Sequence, residues 1–166
     1  MPHPLQLLIY PGGFLNTSPG RVPAHWALFI ASPTNPRIAK TFDAVGTPFT
    51  GYGLRFRRNY SLDDETRRFS VVWVVDVEEG LVEDMRVYGE GEGENGRKGV
   101  TEDVEPRDRL EREAKRVDAP GVSKRPLDPF GGRNCQSWVL EYVGWLAERK
   151  LVDGSALEAL EKADRI

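Results

Sequence analysis

Short apolar runs fenced by proline and glycine fill the first half of this chain, and apolar residues at a helical spacing fill its end. That division restricts the fold more than any composition figure does. Runs too short for helices, rich in β-branched and aromatic residues, read as strands. Residues 5–10 (LQLLIY) lie between Pro4 and Pro11-Gly12-Gly13. Residues 24–31 (AHWALFIA) lie between Pro23 and Pro33. Residues 32–36 make a turn, and 37–45 read as the return strand of a hairpin, closed by Gly46-Thr47-Pro48. Over 52–60, Tyr52, Leu54 and Phe56 alternate with Gly53, Arg55 and Arg57, the pattern of a half-exposed strand. Residues 69–77 (FSVVWVVDV) are almost wholly apolar, which predicts a central strand.

The second half reads differently. Residues 90–105 combine glycines and charges with almost nothing to bury, the composition of a flexible surface insertion. Pro106 opens a helix at its first turn, with Leu110, Ala114 and Val117 on one face and Glu111 one turn before Lys115. Residues 119–132 are loop, with Pro120, Pro126, Pro129 and Gly131-Gly132. From about Cys135 to Lys150, Trp138, Val139, Tyr142, Val143, Trp145 and Leu146 follow a helical period. Ser155 with Glu158 has the form of a capping box for a last short helix through Leu157 and Leu160. The expectation is an α+β fold in one domain, 1–166. An antiparallel sheet of about four to six strands packs against a helix carrying Cys135 at its N-terminus, with the insertion at about 90–105.

Composition removes several function classes. A chain of 166 residues can bury a core. Its net charge of −3 gives no basic field for nucleic acid. No apolar run is long enough for stable membrane insertion, and residues 5–10 are too short for a signal-peptide core, so the expected location is cytoplasmic. A lone cysteine makes no internal disulfide, in keeping with a reducing compartment. One cysteine and two histidines are too few for a zinc site, and no cofactor is expected.

The same scarcity directs attention to two residues. Cys135 is the only cysteine, and His25 is one of two histidines, the other being His3 in a ragged N-terminus. Asn134 is a good helix N-cap, which puts Cys135 in the first turn. There the free amides and the positive helix end favour the thiolate, Arg133 adds charge, and the amides could hold the oxyanion of a tetrahedral intermediate. A thiol and an imidazole are the minimum for nucleophilic catalysis by cysteine. Taken singly, Cys135 also fits an ordinary core cysteine, and His25 a core histidine donating to a carbonyl.

The run His25-Trp26-Ala27-Leu28-Phe29-Ile30 resembles the His-Trp-Ala strand of the lecithin:retinol acyltransferase-like proteins and their phospholipase/acyltransferase relatives. Asn134-Cys135-Gln136-Ser137-Trp138-Val139 resembles their Asn-Cys-Glu-His-Phe-Val helix start. These are circularly permuted papain-like, or NlpC/P60-like, thiol hydrolases, in which the histidine strand precedes the cysteine helix, as here. The polar helix 106–117 fits the element that precedes the cysteine segment in that family. The resemblance implies Cys135 as nucleophile and His25 as base, with Asn134, Gln136 and Trp26 around the substrate or its oxyanion. That family has a third polar residue on the following strand, commonly a second histidine that orients the first, and no histidine remains here to fill that place. Asp43 occupies the stretch and can orient His25 by triad logic, or it can be a solvated hairpin residue. Gln136-Ser137 replaces the family's Glu-His, so its substrate contacts do not carry over.

The resemblance implies a hydrolase or acyltransferase acting on an ester, thioester or amide, with a small acyl substrate or a peptide as partner. Its alternatives are a peptidase or deconjugating enzyme of the same fold, and a non-catalytic binding or effector module on this scaffold. Elsewhere, Asp63-Asp64-Glu65 lacks a calcium-loop pattern and reads as a turn. Residues 89–93 are too acidic for a phosphate loop. Arg55, Arg57, Arg58, Arg67 and Arg68 read as a solvated sheet edge, or as a face receiving an acidic group. An activated thiol predicts that Cys135 is alkylated quickly by iodoacetamide below neutral pH and that His25→Ala slows the reaction. Equal labelling of native and denatured protein would contradict it.

Overall fold

A computed structural model of the chain describes residues 1–13, 22–33, 35, 36, 38–83, 100–128 and 130–166. Among them the prolines and glycines separate five strands in the first half: β1 (His3–Tyr10), β2 (His25–Ala31), β3 (Ala39–Thr47), β4 (Gly51–Tyr60) and β5 (Ser70–Val77). A short β6 (Thr101–Asp103) follows. Neighbouring strands are all antiparallel, in the order β5-β1-β2-β3-β4-β6. With α1 (Arg109–Ala114), α2 (Cys135–Glu148) and α3 (Ser155–Glu161), the fold is α+β. Among the described residues no helix is long and apolar enough to cross a membrane.

Strand alternation sorts the side chains into two layers. Leu5, Leu7 and Ile9 of β1, Trp26, Leu28 and Ile30 of β2, and Phe42 and Ala44 of β3 share one core with Trp138, Val139, Tyr142, Val143 and Leu146 of α2. The other face carries a smaller cluster, Leu8, Tyr10, Ala27, Phe29, Ala39 and Tyr60, packed by Leu62 and Phe69. Helix α2 is well terminated. Asn134 Oδ1 accepts from the amides of Gln136 (3.0 Å) and Ser137 (3.2 Å), and Ser137 Oγ accepts from the Asn134 amide (3.1 Å), a reciprocal capping box. At its far end Lys150 turns left-handed (φ 56°), and the amides of Leu151 and Lys150 close on the carbonyls of Leu146 and Ala147.

Several expectations fail for physical reasons. Strand β5 is an edge, not a centre: Val71 and Trp73 are 41% and 53% exposed. Its apolar run arises because a register shift opposite Leu5/Gln6 turns the consecutive Val74 and Val75 both inward. The arginines of β4 are no solvated edge, since β6 covers that strand. Arg58 is fully buried and Arg57 nearly so. Residues 101–103 of the expected insertion form β6, and Asp103 meets Arg58 (3.2 Å); residues 90–99 lie outside the described set. His3, expected in a ragged terminus, opens β1 and is buried. Ser155 sits one residue inside α3, with Gly154 at the cap and no capping box; its amide bonds Asp153 Oδ1 instead (2.9 Å).

The largest departure concerns α1. Glu111 does not pair with Lys115 on the surface. It is buried and binds Arg58, while Lys40 pairs with both Asp108 and Glu111. Asp108 also caps α1, accepting from the Glu111 amide (2.9 Å). Burial is the largest influence on the Lys40 ammonium and outweighs Glu111, pushing its pKa down to about 8. Buried charges of this kind persist only when paired and hydrogen-bonded. The aromatic tips of α2 complete the attachment: Tyr142 Oη donates to Leu110 O (2.8 Å), and Trp138 Nε1 to Val117 O (3.1 Å). Trp138 is fully buried and stacks on Tyr142 with ring centroids 5.2 Å apart. Trp138→Ala therefore costs ~3–5 kcal/mol in denaturant unfolding; a variant of unchanged stability would mean that α2 presents a different face.

Candidate active site

Three adjacent strands each contribute one side chain on the same sheet face. His25 begins β2, Asp43 lies in β3, and Arg55 is the direct cross-strand partner of Asp43 on β4. His25 Nε2 donates to Asp43 Oδ2 (2.8 Å). Arg55 forks onto the same carboxylate, Nε to Oδ1 at 3.0 Å and Nη2 to Oδ2 at 2.7 Å. Asp43 is fully buried, which sets aside the solvated-hairpin alternative. Burial opposes its charge most strongly, yet the hydrogen bonds from His25 and Arg55 hold its pKa below the ordinary carboxylate value.

Cys135 opens α2 and comes up to His25 from the helical side of the sheet. Burial is the largest single influence on the imidazole and disfavours its charge. The Asp43 hydrogen bond, then hydrogen bonding and charge from Cys135, outweigh it and raise the His25 pKa from 6.5 to about 9. With Nε2 held by Asp43, Nδ1 is the ring nitrogen left for the sulfur. Cys135 is 7% exposed, and its Sγ also lies 3.9 Å from Ala24 O. A cavity of about 370 Å³ opens on the pair, lined by Val22, Pro23, His25, Gly46, Thr47, Pro48, Phe49, Tyr52, Asn134 and Cys135.

The remaining residues named from sequence occupy mixed positions. Asn134 lines the cavity and caps α2, so the amides of Gln136 and Ser137 are already engaged and Cys135 N–H is the first-turn donor the cap leaves. Gln136 Nε2 donates to Ala24 O and Arg165 O, both at 2.8 Å. Its amide hydrogens bind the protein itself and are not offered to an oxyanion. Trp26 is fully buried in the helix-facing core, its Nε1 donating to Asp164 O (2.9 Å), and it does not line the cavity. Arg133 forks onto Glu141 and donates to Asp118 O, so its charge is matched away from the sulfur.

Two site residues escaped the sequence reading. Arg55 was grouped with the surface arginines, and only the β3–β4 register reveals that it faces Asp43. Tyr52 was read as one apolar position of an alternating strand. It borders the cavity, where burial first and the charge of Cys135 second raise its pKa. The wall beside it is the β3–β4 turn, which demands glycine: Gly46 and Gly51 have positive φ (152° and 78°), and a Cβ at Gly46 would lie 2.1 Å from Gly51 O.

Among the described residues no cluster of three or more His, Cys, Asp or Glu could hold a metal. Asp63 and Asp64 form a short 3-10 turn capped by Ser61, and Glu65 binds Arg67 and the Tyr60 hydroxyl. Residues 89–93 lie outside the described set. Among families, the model of a family of unknown function (DUF6540) matches residues 14–153. No curated protein and no solved structure matches the chain.

The raised imidazole fixes a pH dependence. A base whose folded pKa lies above its unfolded value adds stability that is fully present below pH 6.5 and is lost as pH climbs through about 9. Asp43→Asn removes the strongest support for the charge. The His25 ring titration, followed by NMR, then falls by about one unit or more toward 6.5. An unmoved midpoint would show that Asp43 does not hold the proton.

Proposed function

We propose that this chain, which belongs to the DUF6540 family, is a cysteine-dependent hydrolase or acyltransferase on a circularly permuted papain-like scaffold. It acts on an ester, thioester or amide through a thioacyl-enzyme intermediate. The observation that carries this reading is His25 held on one side by Asp43 and interacting on the other with Cys135, at the wall of an open cavity. The order of the histidine strand and cysteine helix, and the two motifs around them, support the scaffold.

In the proposed reaction the proton shared by Cys135 and His25 rests on the imidazole, whose pKa is raised to about 9, and Arg55 and Asp43 keep that imidazolium in place. Cys135 Sγ attacks the carbonyl carbon. When the tetrahedral intermediate collapses, the leaving group departs with the proton from His25, and water or a second nucleophile then releases the acyl group. The cavity favours an acyl substrate over an extended peptide. Val22, Pro23, Pro48 and Phe49 supply apolar walls, and about 370 Å³ accommodates a compact group. The opening of that cavity onto Cys135 also counts against a purely structural thiol.

The test is pre-steady-state. Mixing with p-nitrophenyl esters gives a burst of p-nitrophenolate equal to the enzyme present, with the acyl mass on the peptide containing Cys135. Cys135→Ala abolishes the burst, and His25→Ala slows it by about 10²–10⁴-fold. A wild-type protein that shows neither burst nor adduct across short and long acyl esters overturns the reading.

A further inference from the structure

Acyl transfer needs donors for the oxygen that becomes negative when the sulfur attacks, and the donors around this cavity can be counted. On the helix side the amides of Gln136 and Ser137 point into the Asn134 cap, and both hydrogens of Gln136 Nε2 serve Ala24 and Arg165. That leaves Cys135 N–H and the side-chain nitrogen Nδ2 of Asn134, whose backbone N–H is held by Ser137 Oγ. Across the cavity, Thr47 Oγ1 is bound within its turn to Thr50 Oγ1 (2.8 Å) and to the Thr50 amide (3.2 Å). The Tyr52 hydroxyl makes no hydrogen bond among the described residues, and its ring borders the same space as Cys135 and His25. Its backbone amide donates to Pro120 O (2.8 Å).

We propose that Tyr52 is a catalytic residue, its hydroxyl donating to the oxyanion from the strand side while Cys135 N–H donates from the helix side. This rests on the acyl-transfer reading above. As the Sγ–C bond forms, the carbonyl π pair moves onto oxygen and the Tyr52 O–H bonds to it without giving up its proton. The raised pKa of Tyr52 keeps that proton in place. On collapse the C=O bond re-forms, the leaving group departs with the proton from His25, and the Tyr52 hydroxyl is left as it began. A donor that acts only on developing charge strengthens in the transition state and leaves substrate binding unaltered.

Two reactions of one sulfur separate this role from a structural one. Acylation by p-nitrophenyl acetate passes through an oxyanion, whereas alkylation by iodoacetamide is a direct displacement with none. Tyr52→Phe is expected to slow the acylation burst by about 10²-fold while alkylation of Cys135 changes by less than about twofold. Acylation at the wild-type rate overturns the assignment. So does an equal loss of both reactions, which would place the hydroxyl's effect on the thiol or the fold. A wild-type protein without any burst sinks the cysteine reading itself, whereas a wild-type burst unaltered by Tyr52→Phe sinks only the role given to Tyr52.

Discussion

The side-chain amide of Gln136 ties together three parts of the chain that already share one core. It donates to the carbonyl just ahead of β2 and to a carbonyl beyond α3. The same Arg165 carbonyl accepts from the Ala24 amide (2.9 Å). Each such bond adds only about 1 kcal/mol net, but an orphaned buried carbonyl costs more than that. The knot therefore fixes where α2 begins relative to β2. Since His25 and Cys135 are the first residues of those two elements, it also fixes the distance between imidazole and sulfur. A residue that the motif resemblance assigns to the substrate instead sets the frame in which the site exists.

The electrostatics of the site and of the fold follow one rule at two places. Charges alternate in sign through Arg55, Asp43 and His25, with Cys135 beyond the imidazole, and again through Arg58, Glu111, Lys40 and Asp108. In the second set the alternation is structural. Helix α1 is far shorter than an isolated helix that holds its shape in water. Ion pairs beneath it and aromatic hydroxyl and indole tips from α2 hold it in place. In the first set the terminal partner is a thiol facing a cavity, so the same alternation can act on a proton.

Local signals were legible in the sequence. Proline fences located β1 to β4, Asn134 announced the start of α2, and the spacing of Trp138, Tyr142 and Leu146 gave its buried face. What escaped depends on partners distant in sequence. The apolar run of β5 does not disclose how many neighbours that strand has. Arg55 and Arg58 look alike in sequence, yet one clamps the buried Asp43 carboxylate and the other pairs with Glu111 of α1. Glu111 obeys the i,i+4 pattern and still turns inward, because Arg58 offers it a buried partner that Lys115 does not. Asp43 stood out only because the second histidine of the resembled family was missing from the strand after His25, and its burial could not be read from its neighbours.

The carbonyls of Asp164 and Arg165 act from the far end of the molecule. One anchors the Trp26 indole, and the other takes hydrogen bonds from Ala24 and Gln136, while the Arg165 guanidinium lies 5.5 Å from the Trp26 ring. The two residues after His25 and Cys135 are thus steadied by a stretch of tail that bears no reactive group. A shift of residues 164 and 165 would therefore be passed on to the first turn of α2 and the first residues of β2 together, so the thiol and the imidazole share one anchor although neither touches it.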